Sequence, residues 1–223
     1  MHCTDTVGLA VKSGYAPPVA ALSRERILTS AVAMADREGL DAVTMRRIAG
    51  ELGVHVTSLY NHVATRDAVT DGIVEFLLEE AGLPEQPVGW EEWVRSFFAA
   101  MSRTATRHPG AFAALQRRPA QGPRAAASFE IALAAFREAG LAPVDAYNAV
   151  KSASLTALMV GLEQSMATQE QPPETVIEAL PAEGFPQFHA LLGVSEPTES
   201  WAFSLETLVA GLRAQISERA AAR

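Results

Sequence analysis

The chain holds a single cysteine, Cys3, so neither a disulfide nor a cysteine-based zinc site can be assembled from it. Lysine is almost as scarce: Lys12 and Lys151 are the only two, and every other basic residue is an arginine. No stretch approaches the ~18 uninterrupted apolar residues of a membrane-spanning helix. The opening run MHCTDTVGLAVKSGYAPP has neither the charged start nor the long apolar core of a secretory signal. A cytoplasmic protein without a membrane partner is therefore expected. Aromatics make up only 7% of the chain, but apolar residues reach 48% and charged residues 20%, the composition of a globular rather than a disordered chain. No segment alternates with a period of two over a useful length, and there is no glycine-rich nucleotide loop. An all-α fold is expected.

Positive charge is also in short supply, with a formal net charge of −8. It is unevenly spread. Residues 23–68 carry six arginines and six acidic residues, whereas residues 69–223 carry eleven basic and nineteen acidic ones. The first 22 residues balance. All the excess acidity thus lies beyond residue 68.

Residues 1–22 show no periodicity and contain Pro17-Pro18, the pattern of a flexible arm. Ser23 has the character of an N-cap, and Ile27, Leu28, Ala31, Val32 and Ala35 recur at helical spacing up to a stop at Gly39. Thr44 caps a short helix, Met45 to Leu52, broken by Gly53, and another short helix is predicted from Val56 to Val63. A fourth starts near Asp67 and ends before Gly82. Trp90, Trp93, Val94, Phe97, Phe98 and Met101 form one stripe of a longer helix. A short piece, Ala111 to Gln116, follows, and further helices are predicted over Arg124 to Ala139, Val144 to Thr168 and Phe185 to Leu192. Thr198 caps the last one. Residues 23–68 thus form one small unit and residues 69–223 a larger helical domain.

The most informative segment is TMRRIAGELGVHVTSLYNHV, Thr44 to Val63. Two short helices that cross steeply need a small residue at the contact, supplied by Ala49, and a turn residue tolerant of positive φ, supplied by Gly53. Ile48, Leu52, Val54 and Leu59 provide a small shared core. Thr57, Ser58, Asn61 and His62 are left outward beside Tyr60, on a helix that fits a DNA major groove. This is a helix-turn-helix. The acidic remainder of the chain would repel DNA and leave the neutral first unit to make contact, with weak non-specific affinity.

The run RILTSAVAMADREGLDAVTMRRIAGELGVHVTSLYNHVATRDAVTDGIV resembles the DNA-binding head of the tetracycline-repressor (TetR) family. The later LPAEGFPQFHALL and FSLETLVAGL resemble its ligand domain more loosely. The resemblance implies a homodimer that binds a palindromic double-stranded operator and is released by a small, largely apolar effector. Carried over by position, Thr44 and Arg46 correspond to phosphate and base contacts, and arginine is the commonest reader of guanine. Val56, Thr57 and Ser58 fall where the recognition helix meets bases. Tyr60 and His62 fall at phosphate-contacting positions, as does Arg66 at the start of the fourth helix. His55 replaces the Ser or Thr that often caps the recognition helix, so either the cap is weak or His55 contacts DNA. Asn61 either reads adenine or stands solvated.

The long helix Val144 to Thr168 is apolar on two faces. Ala146, Ala149, Ala153 and Ala157 form a small face, suited with the stripe Trp201 to Ile216 to a dimer interface. Leu155 and Met159, with Asn148 and Ser152, form a larger face with the texture of an effector pocket. Phe97, Met101, Phe112, Phe129 and Leu133 could complete it. No enzyme is expected: the histidines form no i, i+4 pair and no Glu-x-x-His motif. His108, before Pro109, has the character of a helix-end cap. No acidic partner for it is visible in the sequence, so no metal or cofactor is expected. The alternative is an all-helical small-molecule binding protein or enzyme whose helix-turn-helix no longer binds DNA.

Overall fold

Ser23, Thr44 and Thr65 punctuate the first part of the chain. Each has extended backbone and a hydroxyl oxygen that accepts from the amide three residues on, at 3.2 Å from Arg26, 3.3 Å from Arg47 and 3.0 Å from Ala68. These bonds satisfy amides that no helical carbonyl reaches. They open α1 (Arg24–Glu38), α2 (Met45–Leu52) and α4 (Arg66–Ala81), with α3 (Val56–Tyr60) between the last two. A 3₁₀ turn, Leu40–Ala42, joins α1 to α2. The computed structural model describes residues 21–118, 122–167, 177–190, 192 and 197–221, and every regular element among them is helical. The arm expected over residues 1–22 lies almost wholly outside the described residues.

The rest comprises α5 (Trp90–Arg107), α6 (Ala114–Arg117), α7 (Pro123–Glu138), α8 (Pro143–Ala167), α9 (Pro186–His189) and α10 (Pro197–Ala221). Several ends differ from expectation. The recognition helix stops at Tyr60 rather than Val63, because the amides of His62 and Val63 both turn back to the Leu59 carbonyl at 2.9 Å. The short piece from Ala111 becomes helical only at Ala114, after a turn in which Phe112 N–H bonds to the His108 carbonyl. α9 is half the expected length. α10 begins at Pro197, so Thr198 is inside the helix rather than its cap; proline suits a first position whose amide would be unpaired anyway. α4 runs unbroken across residue 68 and links the small unit to the rest.

α8 packs chiefly on α5 and α7, and α10 packs on α8 and α5. Ala146, Ala149, Ala153 and Ala157 are the buried face of α8, not an outward one. Only small side chains let α8 close on α5, whose Phe97, Phe98 and Met101 fill the space between. Gly161 continues the contact: a Cβ there would fall 2.5 Å from the Phe112 ring. Leu155 (53% exposed) and Met159 (58%) face outward instead, together with Val144, Tyr147 and Met166. On α10, Leu205, Val209 and Leu212 are buried within the chain, whereas Phe203 is 74% exposed. Arg95 clamps α10 to α5 by pairing with Glu91 and Glu206, and Arg213 pairs with Glu91.

Candidate nucleic-acid interface and effector region

Gly53 takes the left-handed conformation (φ 68°, ψ 31°) between α2 and α3, and Val54 N–H bonds back to the Ala49 carbonyl at 3.0 Å. Ile48, Ala49 and Leu59 are buried at this crossing, with Leu52 and Val54 packed at its edge. Packing thereby decides what faces out. Arg46, His55, Thr57, Tyr60, Asn61, His62 and Arg66 are exposed, and Thr44, Val56 and Ser58 are half-buried. His55 occupies the N-cap of α3 but makes no side-chain cap bond, which leaves its imidazole available. Thr44 spends its hydroxyl oxygen on capping α2. Arg66 also braces the head from within. Its Nε donates to the Val43 carbonyl at 3.1 Å, tying the residue before the Thr44 cap to the first turn of α4.

The formally neutral charge of this head is resolved in space. Arg47 pairs with Glu38 and Arg37 with Glu51. Hydrogen bonding from Arg47, aided by its charge, holds the Glu38 carboxyl below the usual carboxylate range. Three more acids of residues 23–68 are met by basic side chains from the larger domain: Asp36 by His108, Asp41 by Arg117 and Asp67 by Arg118. Arg117 holds Asp41, and Arg118 holds Asp71 of α4, below the usual range, in each case first by hydrogen bonding. Arg46 has no such partner among the described residues. Acids of the head are thus paired with side chains of the larger domain, while Arg46 remains beside the exposed polar side chains of α3.

His108 is the C-cap of α5, its amide bonded to the Thr104 carbonyl at 2.8 Å, and its side chain reaches further. Its Nδ1 lies 2.7 Å from Asp36 Oδ2 on α1 and its Nε2 2.6 Å from Glu80 Oε2 on α4. Both acidic partners are distant in sequence, which is why periodicity and spacing do not reveal them. Among the described residues, no group of three His, Cys, Asp or Glu side chains is arranged to hold a metal ion.

The residues expected to line one effector pocket are divided between the two sides of α8. Phe97, Met101 and Phe112 are buried, and Phe129 and Leu133 are half-buried. Asn148, Ser152, Leu155 and Met159 lie on the opposite, exposed side and do not join them. Six buried side-chain polar atoms among the described residues lack a hydrogen-bond partner, and sequence reasoning missed their burial; three of them lie on α4, α5 and α7. Trp93 Nε1 on α5, Ser128 Oγ on α7 and Glu75 Oε1 on α4 are buried without a hydrogen-bond partner. Such orphaned atoms call for an explanation, a ligand included. Their only sequence signal is that they are polar or part-polar residues among apolar neighbours.

Residues 27–70 match the model described as bacterial regulatory proteins, tetR family, and residues 83–216 match the tetracyclin repressor-like C-terminal domain. The chain is 37% identical over 125 residues to an HTH-type transcriptional regulator of Saccharopolyspora erythraea, an alignment that covers 56% of this chain and 53% of that protein. It is 26% identical to the HTH-type transcriptional repressor DrrR1 of Streptomyces coeruleorubidus, over 91% of this chain and 81% of that one. Apo ActR from Streptomyces coelicolor superposes with a TM-score of 0.73 at 30% identity, covering 88% of this chain and 97% of ActR. The all-helical fold, the helix-turn-helix and both family matches lead to one conclusion: the chain belongs to the TetR family of bacterial transcriptional regulators.

Proposed function

We propose that the protein is a ligand-responsive repressor that binds a palindromic operator as a homodimer and is not an enzyme. The partition of charge carries this reading: basic side chains of the larger domain pair with acids of the head, and Arg46 stays uncommitted beside the exposed face of α3. Arg46 would read a base, Tyr60, His62 and Arg66 would meet phosphates, and His55, Val56, Thr57, Ser58 and Asn61 would lie against base edges. A repressor of this kind would act in the cytoplasm, where its operator lies; among the described residues no helix is long and apolar enough to cross a membrane.

The dimer would form through the exposed large face of α8, Leu155, Met159 and Met166, together with Phe203 of α10. This reverses the assignment made from sequence, because the alanine face is already occupied within the chain. ActR has been solved in complex with actinorhodin, which supports a small-molecule effector here. The effector would enter among Phe97, Met101, Phe112, Phe129 and Leu133. It would be largely apolar, with hydrogen-bonding groups for Ser128 and Trp93. A gel shift with the DNA upstream of the protein's own gene tests the reading. A retarded band lost in Arg46→Ala is expected, and no retardation by the wild type at micromolar concentration would overturn it.

A further inference from the structure

The helix-turn-helix is joined to the rest of the chain covalently through α4, but the turn after α5 grips it as well. His108 stands where three elements meet: Asp36 comes from α1, Glu80 from the end of α4, and His108 itself closes α5. The ring is packed edge-on against Phe76 of α4, with centroids 6.1 Å apart, and its side chain is 14% exposed. Two residues on, Gly110 fits so closely that a Cβ would run into the Ala35 carbonyl of α1. Ala111 N–H then donates to Asp36 Oδ1 at 3.0 Å.

The protonation state of this joint follows from hydrogen-bond stoichiometry. A neutral imidazole has one donor nitrogen and one acceptor nitrogen, whereas ionised carboxylates only accept. Both ring nitrogens lie within 2.7 Å of carboxylate oxygens, so only the imidazolium satisfies both contacts. The surrounding charges are Asp36 from α1, Glu80 from α4, and Arg107 of α5, whose guanidinium is 3.7 Å from the other oxygen of Glu80. Arg103 of α5 is turned to the Ala81 carbonyl. Asp36 keeps a second bond from Ala111, so loss of the proton would free the Glu80 end, which is more exposed.

We propose that His108 is a positioning residue that makes DNA binding proton-linked: its imidazolium bolts the end of α4 to α1 of the DNA-binding head, and its deprotonation releases α4. The sign is fixed by the bonds. The joint is complete while the ring carries both protons and opens when one is lost. A released head must be ordered again on DNA, so affinity falls. The DNA part of this inference rests on the repressor reading above; the joint itself does not.

Two measurements separate them. In the free protein, ¹H–¹⁵N spectra of histidine-labelled chain should show both His108 ring nitrogens protonated at about pH 5.5 and one at about pH 8.5. Binding to the duplex upstream of the protein's own gene is then followed across the same range. Wild-type affinity should fall about tenfold more than that of E80Q, a coupling of ordinary size. In E80Q the new amide donates to neutral Nε2, so the joint closes without a proton. H108Q should bind more weakly throughout and lack the same pH component. Any slope shared by all three comes from groups outside the joint and cancels in the comparison. Parallel wild-type and E80Q profiles, or a His108 ring carrying one proton at about pH 5.5, would overturn the proposal. If no duplex is bound at all, the repressor reading fails while the spectra still decide the joint.

Discussion

Gly110 offers a sharp test of how tightly the head is seated. Its φ is not positive, so alanine can adopt the same backbone. Gly→Ala at such a site ordinarily stabilises by ~0.4–1 kcal/mol, because the unfolded chain loses freedom. Here the added Cβ would overlap the Ala35 carbonyl and crowd the Asp36 Cα, which are backbone atoms that no rotamer change can move. Overpacking costs about 1–3 kcal/mol, and a clash with backbone belongs at the upper end. For a chain of this size 1 kcal/mol is about 2–4 °C of Tm, so Gly110→Ala should melt roughly 6–12 °C below wild type. Gly50 is the internal control. It lies within α2, is exposed, and has nothing within 4 Å of its would-be Cβ. Gly50→Ala should therefore gain up to about 1 kcal/mol. Thermal unfolding followed by circular dichroism compares the two. If Gly110→Ala melts at or above wild type, the close seating of the α5–α6 turn on α1 is wrong.

Three further outcomes are expected. Arg46→Ala should weaken operator binding by about 1–3 kcal/mol and leave Tm within roughly a degree, as expected of an exposed base-reading arginine; titration of a labelled duplex, with a melt alongside, checks both halves. Leu155→Asp on the exposed face of α8 should convert a dimer to a folded monomer in light scattering, whereas an unchanged dimer would place the interface elsewhere. Asp41 and Asp71 are held below the usual carboxylate range by Arg117 and Arg118, so their stabilisation is present above the ordinary carboxylate value and lost as pH falls through the lowered one. Urea midpoints taken through the acid range should therefore fall less steeply in an Arg117→Ala/Arg118→Ala double variant than in wild type, and equal slopes would remove these pairs from the account.

Much of the head was legible because its signals are local. Ser23, Thr44 and Gly53 act within three or four residues of themselves, and the ends they set for α1 and α2 are those seen in the structure. The helix-turn-helix and the family resemblance rest on the same short spacings. α8 was not legible in this way. Apolar on both sides, its sequence contains two candidate faces and no signal for which one turns inward. Steric fit against the phenylalanines of α5 settles that in favour of alanine, and it sends Leu155 and Met159 outward. Charge behaved likewise. A count over residues 23–68 gives a neutral head, and only the fold brings His108, Arg117 and Arg118 to its acids from 51 to 76 residues away. Helix ends and turns follow from interactions between near neighbours, which a linear sequence records. The inward face of α8 and the field the head presents follow from contacts between distant residues, and those exist only once the chain has folded.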